Sequence, residues 1–491
     1  MSLKTNLAYN FLLSVSQLLF PLLSIPYISR VLDPSGIGKV SFIDSFTYYF
    51  IIIAEFGIVA YGIREVARKK KDPEALSKLV SELFFLHCIT SAIALLAYLP
   101  MVYFVYQKIG DYRLLLFSFS FLLVNFFSCE WYFWGTEKFK FIATRSIFTR
   151  VLGLISIFIL VKAPEDYFIY YGIITGSAIL TILWNSVQLF REVKISFKNI
   201  NWKQHIPYLI IMYQISLVYG VTILLDNVFL GLVSTAAAVA YYAFAIKIVR
   251  ISSAVITDTF LVFYPKTVTL LQDNDEPSLQ KAIVTSSQII LLTTLPLGAG
   301  IFLLSETLTT VYFGNAFLPV ATNLQILSLY PLLKSFNIFI HKQLLMPYNL
   351  DKLVLKSFIV GSITFIVATL GLSYLYADRG ASYAIIISEA VVLACNFSYA
   401  TAVPKRFILI DVRTLLQALA GVLLFIPVIF FTDMVIHGEV VKILVSVISC
   451  IFIYVFFLSI VMKNTAMVNL LNAIKTFFAF KPLFIQRGKT N

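Results

Sequence analysis

The chain has 491 residues, 59% of them hydrophobic and only 13% charged, with a net charge of +13. A soluble domain carries roughly 25% charged residues, and a chain of this size could not cover a water-facing surface with so few, so a soluble fold is excluded. The positive balance does not point to nucleic acid, because the basic residues sit in short clusters between apolar runs, as in membrane proteins.

A membrane-crossing helix needs about 20 mostly apolar residues. In chain order such runs fall at about 7–29, 41–63, 80–106, 114–135, 142–161, 167–190, 207–231, 239–263, 282–304, 319–341, 354–376, 381–402, 414–434 and 441–461. The expected fold class is therefore an all-α polytopic membrane protein with about fourteen transmembrane helices. The first run follows Met-Ser-Leu-Lys without a small-residue cleavage site and is read as a retained span, not a signal peptide. With Arg145 and Lys356 counted in the loops they adjoin, 27 of the 38 Lys and Arg fall on the side of the N-terminus and 7 on the other. The remaining four, Arg150, Lys247, Arg250 and Lys334, lie within spans. This imbalance predicts cytoplasmic N- and C-termini. The tail over 464–484 is apolar with Lys475 and Lys481, and reads as an interfacial helix or a frayed end.

Ionisable residues at bilayer depth are costly and by default face a bundle interior or a wet cavity. The eighth span carries Lys247, Arg250 and Asp258, which share a sector about 80° wide. They suit a cationic lining for an anionic ligand, or a structural ion pair with snorkelling of Lys247. The second span carries Asp44 and Glu55, about 20° apart around the axis and about 16 Å apart along it. Carboxylates so placed bind a proton or Na⁺, or pair with a basic face of another helix. Arg30 and Arg64 lie near span ends, Asp226 lies late in the seventh span, and Glu130, Arg150, Lys334 and Glu389 are further sites of this kind.

Cys88, Cys129, Cys395 and Cys450 lie in apolar stretches without a short Cys-x-x-Cys spacing, so neither a disulfide framework nor a metal site is indicated. No HExxH and no GxxxxGK[ST] occurs, and the Gly36-Ile37-Gly38 stretch belongs to a turn rather than a nucleotide loop. Pro21, Pro26, Pro296 and Pro331 within spans allow kinks. Leu18–Val40 and Leu217–Val239 share a layout at an offset of 199 residues. That repeat suggests two parallel six-helix halves, 1–195 and 196–404, with spans thirteen and fourteen and the tail in 405–491.

Several stretches carry a family resemblance: SRVLDPSGIGKVSF (Ser29–Phe42) with Gly57 and Arg64, EWYFWGTEKFKFIATRSIFTR (Glu130–Arg150), DNVFLGLVSTAAAVAYYAFAIKIVR (Asp226–Arg250), VYFGNAFLPVATNLQILSLYPLL (Val311–Leu333), and GASYAIIISE ending at Glu389. Together they make the chain resemble the Wzx-type repeat-unit flippases of the polysaccharide transporter family, within the multidrug/oligosaccharidyl-lipid/polysaccharide exporter superfamily. It departs from that family's pattern at Asp33, where Gly is frequent, and in exceeding twelve spans. The resemblance implies two six-helix lobes around a cavity lined by spans one, two, seven and eight. It implies export of an undecaprenyl-diphosphate-linked oligosaccharide across the bacterial inner membrane, driven by an H⁺ or Na⁺ gradient with no other cofactor. Lys247 and Arg250, with Arg64 and Arg30, would then meet the diphosphate, and Glu55, Asp258, Asp44 and Asp226 are the carboxylates for ion coupling. Expected partners are membrane lipids, a polysaccharide polymerase and a chain-length regulator around a monomeric protein, with no nucleic acid. Two other readings are a drug/cation antiporter, which predicts an acidic cavity, and a membrane glycan polymerase or ligase, which predicts long outer loops. The basic eighth span and the short outer loops disfavour them.

Overall fold

The computed structural model describes residues 3–198, 200–404 and 407–479, which form helices and short connections with no strand among the described residues. A bilayer requires this, because each segment must satisfy its own backbone N–H and C=O groups. Among the described residues, ten stretches are long and apolar enough to cross a membrane. Leu96, Phe104, Val367, Phe430 and Phe452 turn outward where a soluble protein would carry charge. The chain is a multi-pass α-helical membrane protein.

Helix α1 (Leu3–Val31) leads into α2 (Pro34–Glu55), so Gly36, Ile37 and Gly38, expected in a turn, lie in the first turns of a helix. Asp33 caps α2 by accepting from the backbone N–H of Ser35 and Gly36 at 3.2 and 3.0 Å, and Pro34 takes the first helical position, where no N–H is needed. The second span does not continue unbroken to residue 63 as expected. Phe56 and Gly57 adopt left-handed backbone (φ 47° and 77°) before α3 (Ile58–Lys69) resumes. A Cβ on Gly57 would crowd the Tyr213 nitrogen and Leu209 oxygen at 2.8 and 2.9 Å, so glycine permits both the turn and the close approach. Then come α4 (Pro73–Ile109), capped by Asp72, and α5 (Tyr112–Val124), capped by Asp111. A 3₁₀ turn, Asn125–Phe127, precedes α6 (Glu130–Gly135).

Helices α7 (Phe139–Leu160) and α8 (Tyr167–Glu192) match the fifth and sixth expected spans. The seventh is divided into α9 (Ile206–Ile223) and α10 (Leu225–Val233). Helices α11 (Ala236–Gln272), α12 (Glu276–Leu303) and the short α13 (Ser305–Tyr312) follow. The tenth span is divided into α14 (Pro319–Leu327) and α15 (Tyr330–Ile340), with a π turn over His341–Leu345. The long α16 (Asp351–Ala400) reverses at Ala377 (φ 50°, ψ −126°). A Cβ on Gly380 would fall on the backbone of Leu372 and Ser373, whereas residues eight apart in a straight helix are about 12 Å apart. Ser388 Oγ likewise donates to the Gly361 carbonyl at 2.8 Å. This hairpin holds the eleventh and twelfth expected spans. The chain ends with α17 (Val412–Leu423), α18 (Phe425–Val435), α19 (Glu439–Phe456) and α20 (Thr465–Ala479). The expected tail helix is thus present to Ala479, and 480–484 lie outside the described residues.

Among the described residues, ten stretches meet the length and apolarity of a span, against about fourteen expected. The fourth, seventh and tenth are broken into shorter helices, and the eleventh and twelfth count as one across their hairpin.

The helices form two compact units. One comprises Met1–Lys247, Tyr312–Asn323 and Phe358–Ser388; the other comprises Ile248–Val311, Leu324–Ser357 and Glu389–Asn491. The first buries an apolar cluster of Tyr61, Val66, Leu83, Trp131, Phe133 and Ile142. The second buries Leu292, Ala418, Phe425, Tyr454, Leu458 and Met467, which ties α17–α20 to α12. In the first unit α2 meets the start of α11 backbone to backbone, since a Cβ on Gly38 would fall on the Ala236 carbonyl. Gly38→Ala is therefore expected to cost about 3 kcal/mol by overpacking against rigid backbone. Gly176→Ala, in open space on α8, should be neutral or stabilise by up to about 1 kcal/mol. Thermal unfolding of the purified protein in detergent separates the two.

Candidate functional site

The Gly38–Ala236 contact sets the depth of three charged side chains in the first unit. Counted along α2 and α11 from that contact, Asp44 lies about 9 Å in, Lys247 about 16 Å and Glu55 about 25 Å. Lys247 is exposed and acts electrostatically on Asp44, yet no salt bridge joins them. One oxygen of Asp44, Oδ1, is buried without a hydrogen-bond partner. Tyr48, Tyr170 and Tyr171 also lie within electrostatic reach of Asp44. Beside them runs a closed set of hydroxyls. Thr47 Oγ1 meets Ser118 Oγ at 2.6 Å and Tyr171 Oη at 3.2 Å, and Tyr98 Oη meets Ser118 Oγ at 2.8 Å.

Glu55 is the last residue of α2, and its electrostatic neighbour is Glu130 at the start of α6. Glu130 accepts from Arg145 Nη2 at 3.1 Å and from Trp134 Nε1 at 3.3 Å. Arg145 is fully buried and also bonds Asn185 Oδ1 and Ser146 Oγ. Nearby, Arg150 bonds the Leu13 carbonyl and Ser16. Asp226 is fully buried, accepting from Asn227 N at 2.8 Å and from Tyr242 Oη at 3.3 Å. Arg30 is exposed and bonds the carbonyls of Pro26 and Tyr312 at 2.7 and 3.3 Å. Arg64 pairs with Glu65 at 3.1 Å and lies over the Tyr61 ring. Asp258 lies on α11, and its side chain is outside those described.

In the second unit Arg250 bonds Tyr330, near Lys334 and Glu389. There a buried polar network is fully partnered. Lys334 Nζ donates to Glu389 Oε1 and Asn337 Nδ2 to Glu389 Oε2, each at 2.8 Å. Asn396 Nδ2 donates to Asn337 Oδ1 at 2.9 Å, and His341 Nε2 meets Asn396 Oδ1 at 3.0 Å and Ser357 Oγ at 3.2 Å. Residues 334, 337 and 341 recur at helical spacing on one face, as do 389 and 396 on the facing helix.

Sequence reasoning missed three groups. Arg145 lies just inside the expected fifth span and counts with the adjoining loop by charge, yet Arg145, Thr149 and Gly153 recur every fourth residue along one buried face of α7. Asn337, Asn396 and His341 escaped because uncharged side chains give no cost signal. The third group has no local signal at all: His205 Nε2 meets Glu82 Oε2 at 3.0 Å, its Nδ1 meets Tyr61 Oη at 2.7 Å, and Asn201 N donates to Glu82 Oε1 at 2.8 Å. These contacts fasten the segment before α9 onto α3 and α4. At the turn before α5, burial opposes ionisation of Asp111, but hydrogen bonds from Arg113 and Tyr167 outweigh it and hold the carboxyl down at about 2.

The sequence and fold can be set beside known proteins at this point. The family described as polysaccharide biosynthesis protein matches residues 3–271. A protein named O-antigen transporter from Shigella dysenteriae is 24% identical over 405 residues, 80% of this chain and 98% of that one. One of the same name from Escherichia coli (strain K12) is 27% identical over 179 residues, 36% of this chain and 43% of that one. Among solved structures, the lipid II flippase MurJ in an inward closed conformation matches with a TM-score of 0.72 at 13% identity, over 93% of this chain and 99% of that one. An inward-facing multidrug resistance MATE family transporter of the MOP superfamily matches with a TM-score of 0.61 at 16% identity, over 79% of this chain and 94% of that one. At these identities the structural likeness establishes the fold.

The partnered network makes a stability prediction. Lys334→Met leaves Glu389 charged and buried, and is expected to cost about 3 kcal/mol. The double substitution Lys334→Met, Glu389→Gln should recover most of that loss. Equal destabilisation of the single and double variants in detergent unfolding would contradict it.

Proposed function

The chain belongs to the polysaccharide biosynthesis protein family, and on that premise we propose that it is a flippase for undecaprenyl-diphosphate-linked oligosaccharide repeat units. Its cargo is a building block of O-antigen, capsule or another exopolysaccharide, moved across the bacterial inner membrane by alternating access. The observation that carries this reading is Lys247, a lysine whose side chain is exposed within a membrane span. A charge there is costly unless a ligand or water answers it, and phosphate oxygens suit a lysine ammonium. Arg250 is the second cation of the same helix, and its planar fork binds phosphate in pairs of hydrogen bonds. Arg64 and Arg30 serve capture and release at the span ends. Similarity to proteins named O-antigen transporters supports a transporter rather than an enzyme.

The proposal includes coupling to an H⁺ or Na⁺ gradient. Glu55 supports it best: it ends α2, where the macrodipole is negative, and has a second carboxylate, Glu130, as electrostatic neighbour. Both features favour a bound cation or proton. Asp44, Asp258 and Asp226 are the other carboxylates of this proposal. Cytoplasmic termini, the two six-helix halves with two added helices, a monomeric state, and work beside a polymerase and a chain-length regulator belong to the same reading.

The test is complementation of a strain lacking its own flippase. Lys247→Ala with Arg250→Ala is expected to lower surface glycan at least about tenfold at unchanged protein level, the loss of one charge-assisted contact or more. Normal glycan at normal protein level would overturn the assignment of these residues to the diphosphate.

A further inference from the structure

We infer that Asp44 is the resident counter-ion of Lys247 and competes with the substrate's diphosphate for it, so that loading displaces the carboxylate's hold and its return expels the cargo. The inference rests on the reading of Lys247 as the diphosphate-binding cation, and adds a residue that sets how tightly the cargo is held.

Three observations carry it. First, Asp44 and Lys247 are each other's electrostatic partners without forming a bridge, and they stand on two helices that meet backbone to backbone at Gly38 and Ala236. An ammonium on a flexible four-carbon stem can turn either to the carboxylate or to a ligand. Second, Asp44 Oδ1 is buried and unpartnered. A buried acceptor left unmet is costly, so this carboxylate gains from any cation brought to it. Third, the adjacent hydroxyls do not satisfy it: those of Thr47, Ser118, Tyr98 and Tyr171 bond one another. The second unit shows the contrasting arrangement. Both oxygens of Glu389 have donors and Lys334 is in direct contact, so that pair is a closed structural unit. Asp44 and Lys247 are left open. A diphosphate brings two negative charges against one carboxylate and prevails when present. Once it is weakened by reorientation of the site, Asp44 recovers the lysine.

The experiment measures binding of farnesyl diphosphate to the full-length protein in lipid nanodiscs, with empty nanodiscs as the blank. Asp44→Asn is expected to tighten binding about tenfold, and Lys247→Met to weaken it by at least as much. Asp44→Glu, which keeps the charge, should bind as the wild type does. In the Lys247→Met background the gain from Asp44→Asn should vanish, because nothing remains to compete for. Asp44→Ser supplies the same neutralisation if the Asn variant does not fold. Unchanged or weaker binding by the neutral variants overturns the competition, as does a gain that persists without Lys247, which would be a general field effect. A wild type that binds no probe overturns the diphosphate reading itself. A wild type that binds and needs Lys247, but is indifferent to Asp44, overturns the competition alone.

Discussion

A charge carried into hydrocarbon must be answered inside the protein, and the placement of polar side chains in this chain follows from that constraint. Large apolar side chains such as Leu96, Phe104 and Phe430 turn outward, and the interior holds residues a soluble protein would show to water: Glu82, Arg145, His205, Asp226 and Glu389 are all buried. Most are answered directly. Arg145 has Glu130, Asn185 and Ser146, Glu82 has His205, Gln204 and a backbone amide, and Glu389 has Lys334 and Asn337. The Glu82 and Glu389 groups are closed and act as fasteners, while Arg145 keeps its Nε without a partner. A half-satisfied group costs more than an apolar side chain in its place, so full partnering is what makes such networks tolerable in a core.

Against that background the incompletely answered charges stand out. Asp44 keeps a bare buried oxygen, Lys247 is exposed within a span, and Glu55 ends a helix at the wrong pole of its dipole. All three lie in the first unit on the two helices that touch at Gly38 and Ala236. A transporter must bind its cargo reversibly, and unsatisfied groups have binding energy left to give. The contrast between the closed Lys334–Glu389 pair and the open Asp44 and Lys247 is the physical basis of the site proposed above.

Broken helices follow the same economy. Carboxylates gather at the interruptions: Glu55 before Phe56 and Gly57, Glu130 opening α6, Asp226 opening α10, and Asp378 after the reversal at Ala377. Three of these four begin a helix, where free N–H groups favour negative charge. Asp226 accepts from the next backbone N–H, and Asp378 accepts from Asn323 Nδ2 at 2.5 Å. Glu55 is the exception, at a C-terminal end, where the helix dipole disfavours its charge.

The amino-acid sequence by itself determined the fold class, the approximate position of each apolar segment and the identity of the costly charges. Hydrophobic length and the price of ionisation in lipid are properties of single segments, so they can be read locally; Asp44, Glu55, Lys247, Arg250, Lys334 and Glu389 were all found that way. The tertiary structure decided what each charge faces. Lys334 and Glu389 are 55 residues apart yet bonded, and Glu82 and His205 are 123 apart. No helical period relates residues so distant, and only packing brings them together. Packing also decided where helices break. The turn at Phe56 and Gly57 depends on how closely α9 approaches, and the reversal at Ala377 on Gly380 admitting the backbone of Leu372. Local hydropathy is nearly blind to such breaks, because a broken span and a continuous one have the same composition.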